Sequence, residues 1–262
     1  MELKMYQVDA FTDKLFSGNP AAVVILELPL PDDVMQSIAT ENNLSETAFV
    51  NIHENPVSIR WFTPSIEVDL CGHATLASAR VLFEYYPDLA GEEINFDSKS
   101  GNLKITKFDR GLCLNFPADY PAEVESESLF FEILSIKPLK LLRGKDDYLA
   151  IFKSQKQIEE IQPKFSLLKK VDARGLVISA PGDEVDFVSR CFYPEAGIEE
   201  DPVTGSAHTM LTPYWANQFN KNELDAHQLS KRGGKLNCRL ANERVLISGK
   251  SVIYFEGTIS IV

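Results

Sequence analysis

The chain has 262 residues, of which 44% are apolar and 10% aromatic, a composition typical of globular proteins and not of disordered, collagen-like or coiled-coil chains. Its 38 acidic and 26 basic residues give a net charge of −12, and such a surface argues against binding to nucleic acid. No apolar run approaches the roughly 20 residues of a membrane span and the first residues do not resemble a signal peptide, so we expect a cytoplasmic protein without membrane contact. The four cysteines form no C-x-x-C pair, which argues against a zinc site or a disulfide framework.

Strand-like segments dominate the chain. In chain order, the residue patterns predict a buried strand over 21–26, an amphipathic helix over 31–41, strands over 47–52 and 57–62, and a hairpin made of 103–108 and 112–116. The apolar face of that helix consists of Val34, Met35, Ile38 and Ala39. These elements together predict a fold of the α+β class.

A weak internal repeat relates the two halves of the chain. The pattern R-x-F-x-P occurs at 60–64 and again 130 residues later at 190–194. Each copy is followed by an acidic turn, then by Gly72 or Gly205, and then by a largely apolar run. A helix that is apolar nearly all round must be buried on most sides. The repeat therefore predicts two similar domains, each wrapping a sheet around one central helix.

The limits of these domains follow from the Pro-rich and acidic stretch over 116–128. We expect an N-terminal domain over 1–116, joined by the last strand at about 251–262, and a C-terminal domain over 117–250. Within the second apolar run, Pro213 fits poorly inside a helix and predicts a kink or an early stop.

The two predicted helix starts are candidates for binding an anion. Backbone N–H groups that follow Gly72 and Gly205 would lack intrahelical partners and lie at the positive end of the helix dipole. Together they could hold a carboxylate without any net basic charge. Two ordinary helices that begin with glycine explain the pattern equally well.

Two polar residues of the first half are candidates for proton transfer. Glu46 opens a predicted strand, where it is either a solvated acid or a partly buried carboxylate that takes and returns a proton. Its counterpart in the repeat, near Arg174-Gly175, is not an acid. His73 lies at a predicted helix start, which disfavours the imidazolium ion, so we expect either a neutral proton relay or a surface histidine.

Three further residues have a chemical and a structural interpretation. Asp201 and Ser206 flank the second glycine, where each either caps the following helix or contacts a ligand. Cys71 suggests a racemase with two facing thiols, but the second half has no matching cysteine, so we interpret it as a small buried side chain. Gln228, Lys231 and Arg232 are weaker candidates for binding a substrate.

Several motifs, taken together, resemble those of the PhzF family, which comprises phenazine-biosynthesis isomerases and many relatives. They are Asp9-Ala10-Phe11, Ser17-Gly18-Asn19-Pro20-Ala21, Asn43-Leu44-Ser45-Glu46-Thr47-Ala48-Phe49, Cys71-Gly72-His73-Ala74-Thr75 and Glu200-Asp201-Pro202-Val203-Thr204-Gly205-Ser206-Ala207. The similarity extends over essentially the whole chain. It implies the diaminopimelate epimerase fold, with two pseudo-symmetric domains, each a curved and mostly antiparallel sheet around a central helix, and a site in the cleft between them.

The resemblance also implies roles for individual residues. In the phenazine enzyme, a glutamate is the general acid/base in the isomerisation of trans-2,3-dihydro-3-hydroxyanthranilate, without a metal or an organic cofactor, and Glu46 matches it. His73, Asp201 and Ser206 match further site positions, which bind the substrate or help to move its proton. The C-G-H-A-T motif at 71–75 is closer to relatives of unknown substrate, so the resemblance does not name the substrate.

The sequence thus leads to the hypothesis of a cofactor-independent isomerase that acts on a small cyclic or unsaturated carboxylate. Glu46, His73 and Asp201 are the expected catalytic residues, and Gly72, Gly205 and Ser206 are expected to bind the substrate. One alternative is a racemase or epimerase that uses Glu46 and Asp201 as opposed bases. Another is a non-catalytic binding protein that retains the cleft. A homodimer is expected from the resemblance alone.

Overall fold

The structure is a computed structural model that describes residues 1–125 and 128–261. The chain folds as two compact units, one made of Met1–Asn115 with Ser248–Val262 and the other of Phe116–Ile247. The domain limits expected from the sequence, at 116/117 and near 250/251, lie close to these. Within the described residues, no helix is both long and apolar enough to cross a membrane.

The first unit contains eight strands and three helices before the chain leaves it. They are β1 (Glu2–Ala10), β2 (Asn19–Leu26), α1 (Asp32–Asn42), β3 (Glu46–Asn51), β4 (Val57–Phe62), β5 (Glu67–Val68), α2 (Gly72–Tyr85), α3 (Pro87–Ala90), β6 (Glu93–Asp97), β7 (Leu103–Phe108) and β8 (Gly111–Pro117). The predicted helix, strands and hairpin are confirmed with shifts of one or two residues at their ends.

The second unit follows, and the last strand returns to the first unit. The elements are β9 (Ala122–Val124), α4 (Ser128–Leu134), β10 (Lys140–Arg143), β11 (Asp147–Ile151), α5 (Gln155–Glu160), α6 (Phe165–Leu168), β12 (Gly175–Pro181), β13 (Phe187–Tyr193), a 3-10 turn (Pro194–Ala196), β14 (Ile198–Asp201), α7 (His208–Phe219), β15 (Glu223–Gln228), β16 (Gly234–Ala241), β17 (Arg244–Gly249) and β18 (Ser251–Ser260).

Strand pairing confirms the internal repeat. In the first unit, β1 pairs antiparallel with β18 and β2, β2 parallel with β3, β3 antiparallel with β4, and β4 antiparallel with β5 and parallel with β6. In the second unit, β10 pairs antiparallel with β9 and β11, β11 parallel with β12, β12 antiparallel with β13, and β13 antiparallel with β14 and parallel with β15. The two units therefore have the same topology, a mixed and mostly antiparallel sheet.

Each unit contains one helix that is buried on most sides. α2 packs against β1, β2, β3 and β18, and ten of its 14 residues are buried. α7 packs against β15 and β16, and its buried residues include Met210, Leu211 and Trp215. Both helices come from the apolar runs that the sequence pattern singled out. α1 lies against β3 and β4, with Met35 and Ala39 in a separate apolar cluster.

The second central helix differs from the prediction in two ways. It begins at His208 and not directly after Gly205, because residues 205–207 form a turn in which the His208 N–H donates to the Gly205 carbonyl at 3.1 Å. It also continues beyond Pro213 to Phe219, so of the two effects expected from the proline, a kink or an early stop, the early stop is excluded. Pro213 has no N–H to donate to the Thr209 carbonyl. That carbonyl accepts the Asp119 N–H instead, at 3.0 Å.

Candidate active site

Glu46 and His73 meet in the first unit. Glu46 is the first residue of β3, and His73 is the second residue of α2. Glu46 Oε2 lies 3.2 Å from His73 Nε2, and the two side chains are 13% and 6% exposed. Neither of these atoms has a hydrogen bond of good geometry among the residues that the structure describes, which leaves both able to engage a substrate.

The other ring nitrogen of His73 faces two more polar side chains. Asn19, which is fully buried at the start of β2, places Nδ2 at 3.2 Å from Nδ1. Cys71, the residue immediately before α2, places Sγ at 3.5 Å from the same nitrogen. The interpretation of Cys71 as a mere space-filling residue is therefore too simple. The sequence analysis quoted Asn19 in a motif but gave it no role.

Burial and neighbouring charge act in opposite directions on His73. Burial disfavours the imidazolium ion, but the adjacent Cys71 and Glu46 outweigh it, so the pKa of His73 is raised well above its ordinary value. Burial raises the pKa of the Cys71 thiol, with a smaller contribution from Glu46, so the thiol stays protonated and the Glu46 carboxylate is the partner that favours the cation. The expectation of a neutral ring, based on the helix dipole alone, is therefore wrong in direction.

Glu46, Cys71 and His73 also contain three possible metal-binding atoms within 4.8 Å of one another. Metal binding needs a thiolate, which burial of Cys71 disfavours. The carboxylate and the sulfur, moreover, contact opposite nitrogens of the ring, so they do not converge on one ring lone pair. The donor set fits a chain of proton-carrying groups better than a metal site.

Asp201 lies in the second unit, at the end of β14 and opposite Cys191 of β13. The Thr204 hydroxyl donates to its carboxylate. The fully buried Gln228 holds this segment, because its Nε2 donates to the Asp201 carbonyl at 2.8 Å and its Oε1 accepts the Thr204 N–H at 2.8 Å. Gln228 therefore supports the loop and is not available as a ligand group.

The remaining predicted residues lie at the starts of the two central helices. Gly72 is the first residue of α2 and is buried. Gly205 and Ser206 lie in the turn that precedes α7, with Gly205 buried and Ser206 half-buried. Lys231 is exposed and Arg232 half-buried in the turn between β15 and β16. Gly72 joins the group around His73, and the others belong to the second unit with Asp201.

A cavity of about 280 Å³ lies elsewhere in the first unit. It is lined by Met35 of α1, by Phe49 of β3 and by polar residues that include Arg60 and Lys99. Glu46 and His73 are not among its lining residues. The cavity is therefore separate from the group of Glu46, Cys71 and His73.

The register of the strands shows how the two units differ chemically. Thr47 pairs with Phe62 in the first unit, and Leu176 pairs with Phe192 at the matching position of the second. Glu46 therefore corresponds to Gly175, as the sequence comparison predicts. A Cβ atom on Gly175 would lie 2.3 Å from the ring of Tyr193, so this position has no space for an acidic side chain.

Comparison with known proteins assigns this architecture to a family. Residues 8–257 match the family described as phenazine biosynthesis-like protein. The chain belongs to the PhzF family. It is 50% identical to an uncharacterised isomerase of Pseudomonas aeruginosa over 259 residues, which cover 99% of each chain. A solved PhzF family structure from Enterococcus faecalis is 45% identical, with a TM-score of 0.96 and full coverage of both chains.

The PhzF assignment fixes the class of fold and of enzyme. A hydroxyproline epimerase from Agrobacterium vitis, at 10% identity, has a TM-score of 0.63 over 98% of this chain and 92% of its own, which shows a shared fold alone. The fold is the diaminopimelate epimerase-like one expected from the motifs. With close PhzF relatives named as isomerases over nearly their whole length, this chain is an enzyme of the isomerase class.

Proposed function

We propose that this PhzF family member is a cofactor-independent isomerase that moves a proton on a small cyclic or unsaturated carboxylate, with Glu46 as the general acid/base. The observation that carries the proposal is the contact between the Glu46 carboxylate and His73 Nε2, at 3.2 Å in a nearly buried position. A carboxylate in such a place has a partner for its charge and little competition from water.

The proposed reaction moves one proton without oxidation or reduction. Glu46 Oε2 accepts the proton from an activated C–H group, and the electrons of that bond shift into the unsaturated system of the substrate. The protonated Glu46 then returns the proton to another carbon atom of the same molecule. His73 stabilises the carboxylate before and after the transfer, because Cys71 and Glu46 together raise its pKa.

Substrate binding is assigned to backbone groups, in agreement with the negative net charge of the chain. At the start of α2, the first intrahelical bond runs from Thr75 N–H to the Cys71 carbonyl at 3.1 Å, so the preceding N–H groups of Gly72 and His73 lie outside the helical ladder. A helix N-terminus favours a carboxylate. Asp201, Gly205 and Ser206 are proposed to contribute further contacts with the substrate.

The proposal is tested by incorporation of solvent deuterium. Wild type, Glu46→Gln and the control Glu41→Gln are incubated in D₂O with trans-2,3-dihydro-3-hydroxyanthranilate and a panel of small carboxylic acids, and the mass of each compound is followed. Glu41 is an exposed acid near the end of α1. We expect labelling with wild type and with the control, and a rate about 10²–10⁴-fold lower with Glu46→Gln.

Other outcomes separate the alternatives. Glu46→Gln that labels a compound as fast as wild type would exclude Glu46 as the base. Label that enters at a stereocentre together with loss of optical purity would indicate a racemase or epimerase, and Asp201→Asn should then abolish that labelling. A protein that binds panel compounds in calorimetry but labels none of them would be a binding protein.

A further inference from the structure

We propose that Asn19 is a positioning residue that fixes the neutral His73 ring with its proton on Nε2, the nitrogen that lies 3.2 Å from Glu46. The inference rests on the proposed function of Glu46 and adds a residue to which no role is otherwise assigned. Asn19 has no side-chain exposure and lies 54 positions from His73 in the chain, yet its amide nitrogen is 3.2 Å from Nδ1 of the ring.

Once the ring has lost its extra proton, its neighbours require one arrangement of the proton that remains. A neutral imidazole carries one N–H donor and one bare acceptor nitrogen. The ionised Glu46 can only accept, so the nitrogen that faces it, Nε2, must hold the proton. Nδ1 is then the acceptor, and both the Asn19 amide and the protonated Cys71 thiol supply donors to it. Glu46, Asn19 and Cys71 thus all favour the tautomer with the proton on Nε2.

The opposite orientation of the amide is unfavourable. With Asn19 Oδ1 directed at the ring, Nδ1 would have to carry the proton, and the neutral ring would present a bare Nε2 to the Glu46 carboxylate. Two lone pairs at 3.2 Å in a buried site repel each other, and only protonation of Glu46 or of the ring relieves that contact. A protonated Glu46 cannot accept a proton from a substrate. When the ring is neutral, the donor orientation of Asn19 therefore keeps Glu46 ionised, which is the state that the proposed reaction needs.

The backbone holds Asn19 in place for this task. Asn19 pairs with Ala10 of β1, and two residues further along β2, Ala21 pairs with Glu46 of β3. The amide and the carboxylate thus come from adjacent parallel strands, and α2 brings the ring between them. Such a rigid setting suits a residue whose function is orientation.

The test uses nitrogen NMR of the ring, which needs no substrate. Protein labelled with ¹⁵N is recorded over the pH range in which the His73 ring loses its extra proton, and the signals are assigned by their absence from His73→Gln. The variant Asn19→Asp is nearly isosteric but carries an acceptor in place of the donor. Asn51→Asp is the matched control, because Asn51 is a buried asparagine of the same unit that donates to Glu54 at 2.9 Å.

We expect the neutral ring of wild type and of Asn51→Asp to carry its proton on Nε2, and Asn19→Asp to retain a proton on Nδ1. Deuterium incorporation by Asn19→Asp should fall on the order of 10²-fold in kcat with little change in KM. A wild-type ring with its proton on Nδ1, or an Asn19→Asp ring that titrates as in wild type, would overturn the proposal. If Asn19→Asp does not fold, the wild-type spectrum still decides. Full activity of Glu46→Gln would refute the proposed function and leave the tautomer result standing.

Discussion

Arg190 repeats in the second unit the contacts that Arg60 makes in the first. Arg60 donates through Nε and Nη2 to the two carboxylate oxygens of Glu67, at 2.7 and 2.9 Å, and Arg190 does so to Glu200 at 2.7 and 3.0 Å. Each guanidinium also lies over the phenylalanine two residues later, at 5.2 and 5.1 Å from the ring centre. The R-x-F-x-P repeat is thus a repeat of side-chain contacts as well as of sequence.

The two arginines should differ in their effect on stability. The third contact of Arg60 is the exposed Asp32, whereas Nη1 of Arg190 donates to the Ile158 and Ile161 carbonyls at 3.0 and 2.7 Å. Arg190→Lys should lower the free energy of unfolding by about 2 kcal/mol, because lysine cannot make these bonds together. Arg60→Lys should cost less than about 1 kcal/mol. Urea unfolding measures both, and equal losses would contradict the comparison.

His208 should make the protein sensitive to mild acid. Burial lowers its pKa to about 4, although its Nδ1 contacts the Thr204 carbonyl at 2.8 Å. Below about pH 6.5 this histidine binds a proton in the unfolded chain but not in the folded protein. Its contribution to stability is therefore complete above that pH and is lost as the pH falls towards 4. The loss from this group amounts to about 3 kcal/mol. In urea unfolding, the stability of His208→Asn should fall less in acid than that of wild type. His53 is exposed, so the stability of His53→Asn should fall as much as that of wild type.

His73 should make the folded protein less stable as the pH rises above neutral. Its pKa is raised by its neighbours in the folded protein, so between about pH 6.5 and that raised value the folded state holds a proton that the unfolded chain has lost. The stabilisation is complete below about pH 6.5 and disappears as the pH rises through the folded-state pKa. Cys71 and Glu46 together cause this shift, and Glu46→Gln removes the carboxylate among them. Unfolding curves above neutral pH should therefore fall for wild type and stay flatter for Glu46→Gln; parallel curves would contradict this assignment.

Cys71 should be dispensable for the chemistry and slow to react. The thiol is buried, its pKa is raised by that burial, and its sulfur lies 3.5 Å from Nδ1 of the His73 ring. Cys71→Ala should keep deuterium incorporation within about tenfold of wild type, since Asn19 still supplies a donor to Nδ1. Iodoacetamide should modify Cys71 in denaturant and not in the folded protein, as mass spectrometry of the peptide would show. A large loss of turnover in Cys71→Ala would instead indicate a thiol base.

The first unit was largely predictable from the sequence because its signals are local. The apolar run after Gly72 placed the start of α2 correctly, and the alternation over 57–62 placed β4. Glu46 and His73 were both identified as candidates. The Asn19 contact was not, because it joins residues 54 positions apart. The available signal was an asparagine just before the apolar strand expected over 21–26, where a polar side chain that becomes buried needs a partner.

The errors in the second unit have a common cause in contacts distant in sequence. A proline inside an apolar run predicts a kink or a helix stop, but the helix does not stop, because the Asp119 N–H donates to the Thr209 carbonyl that Pro213 leaves without an intrahelical donor. Likewise, the helix start moves to His208 because the preceding loop is held by Gln228, 24 positions after Thr204. Local patterns contain no information about either partner.

The glycine at 175 also has a stereochemical consequence. An enzyme with two acids on opposite sides of its substrate can remove a proton from one face and deliver another to the opposite face, which inverts a centre. Here the ring of Tyr193 excludes an acid at the position of the second unit that matches Glu46. If Glu46 is the only base, as proposed, it serves only the face on which it sits, so the proton should leave and return suprafacially. Deuterium from the solvent should then be found on the same face that lost hydrogen.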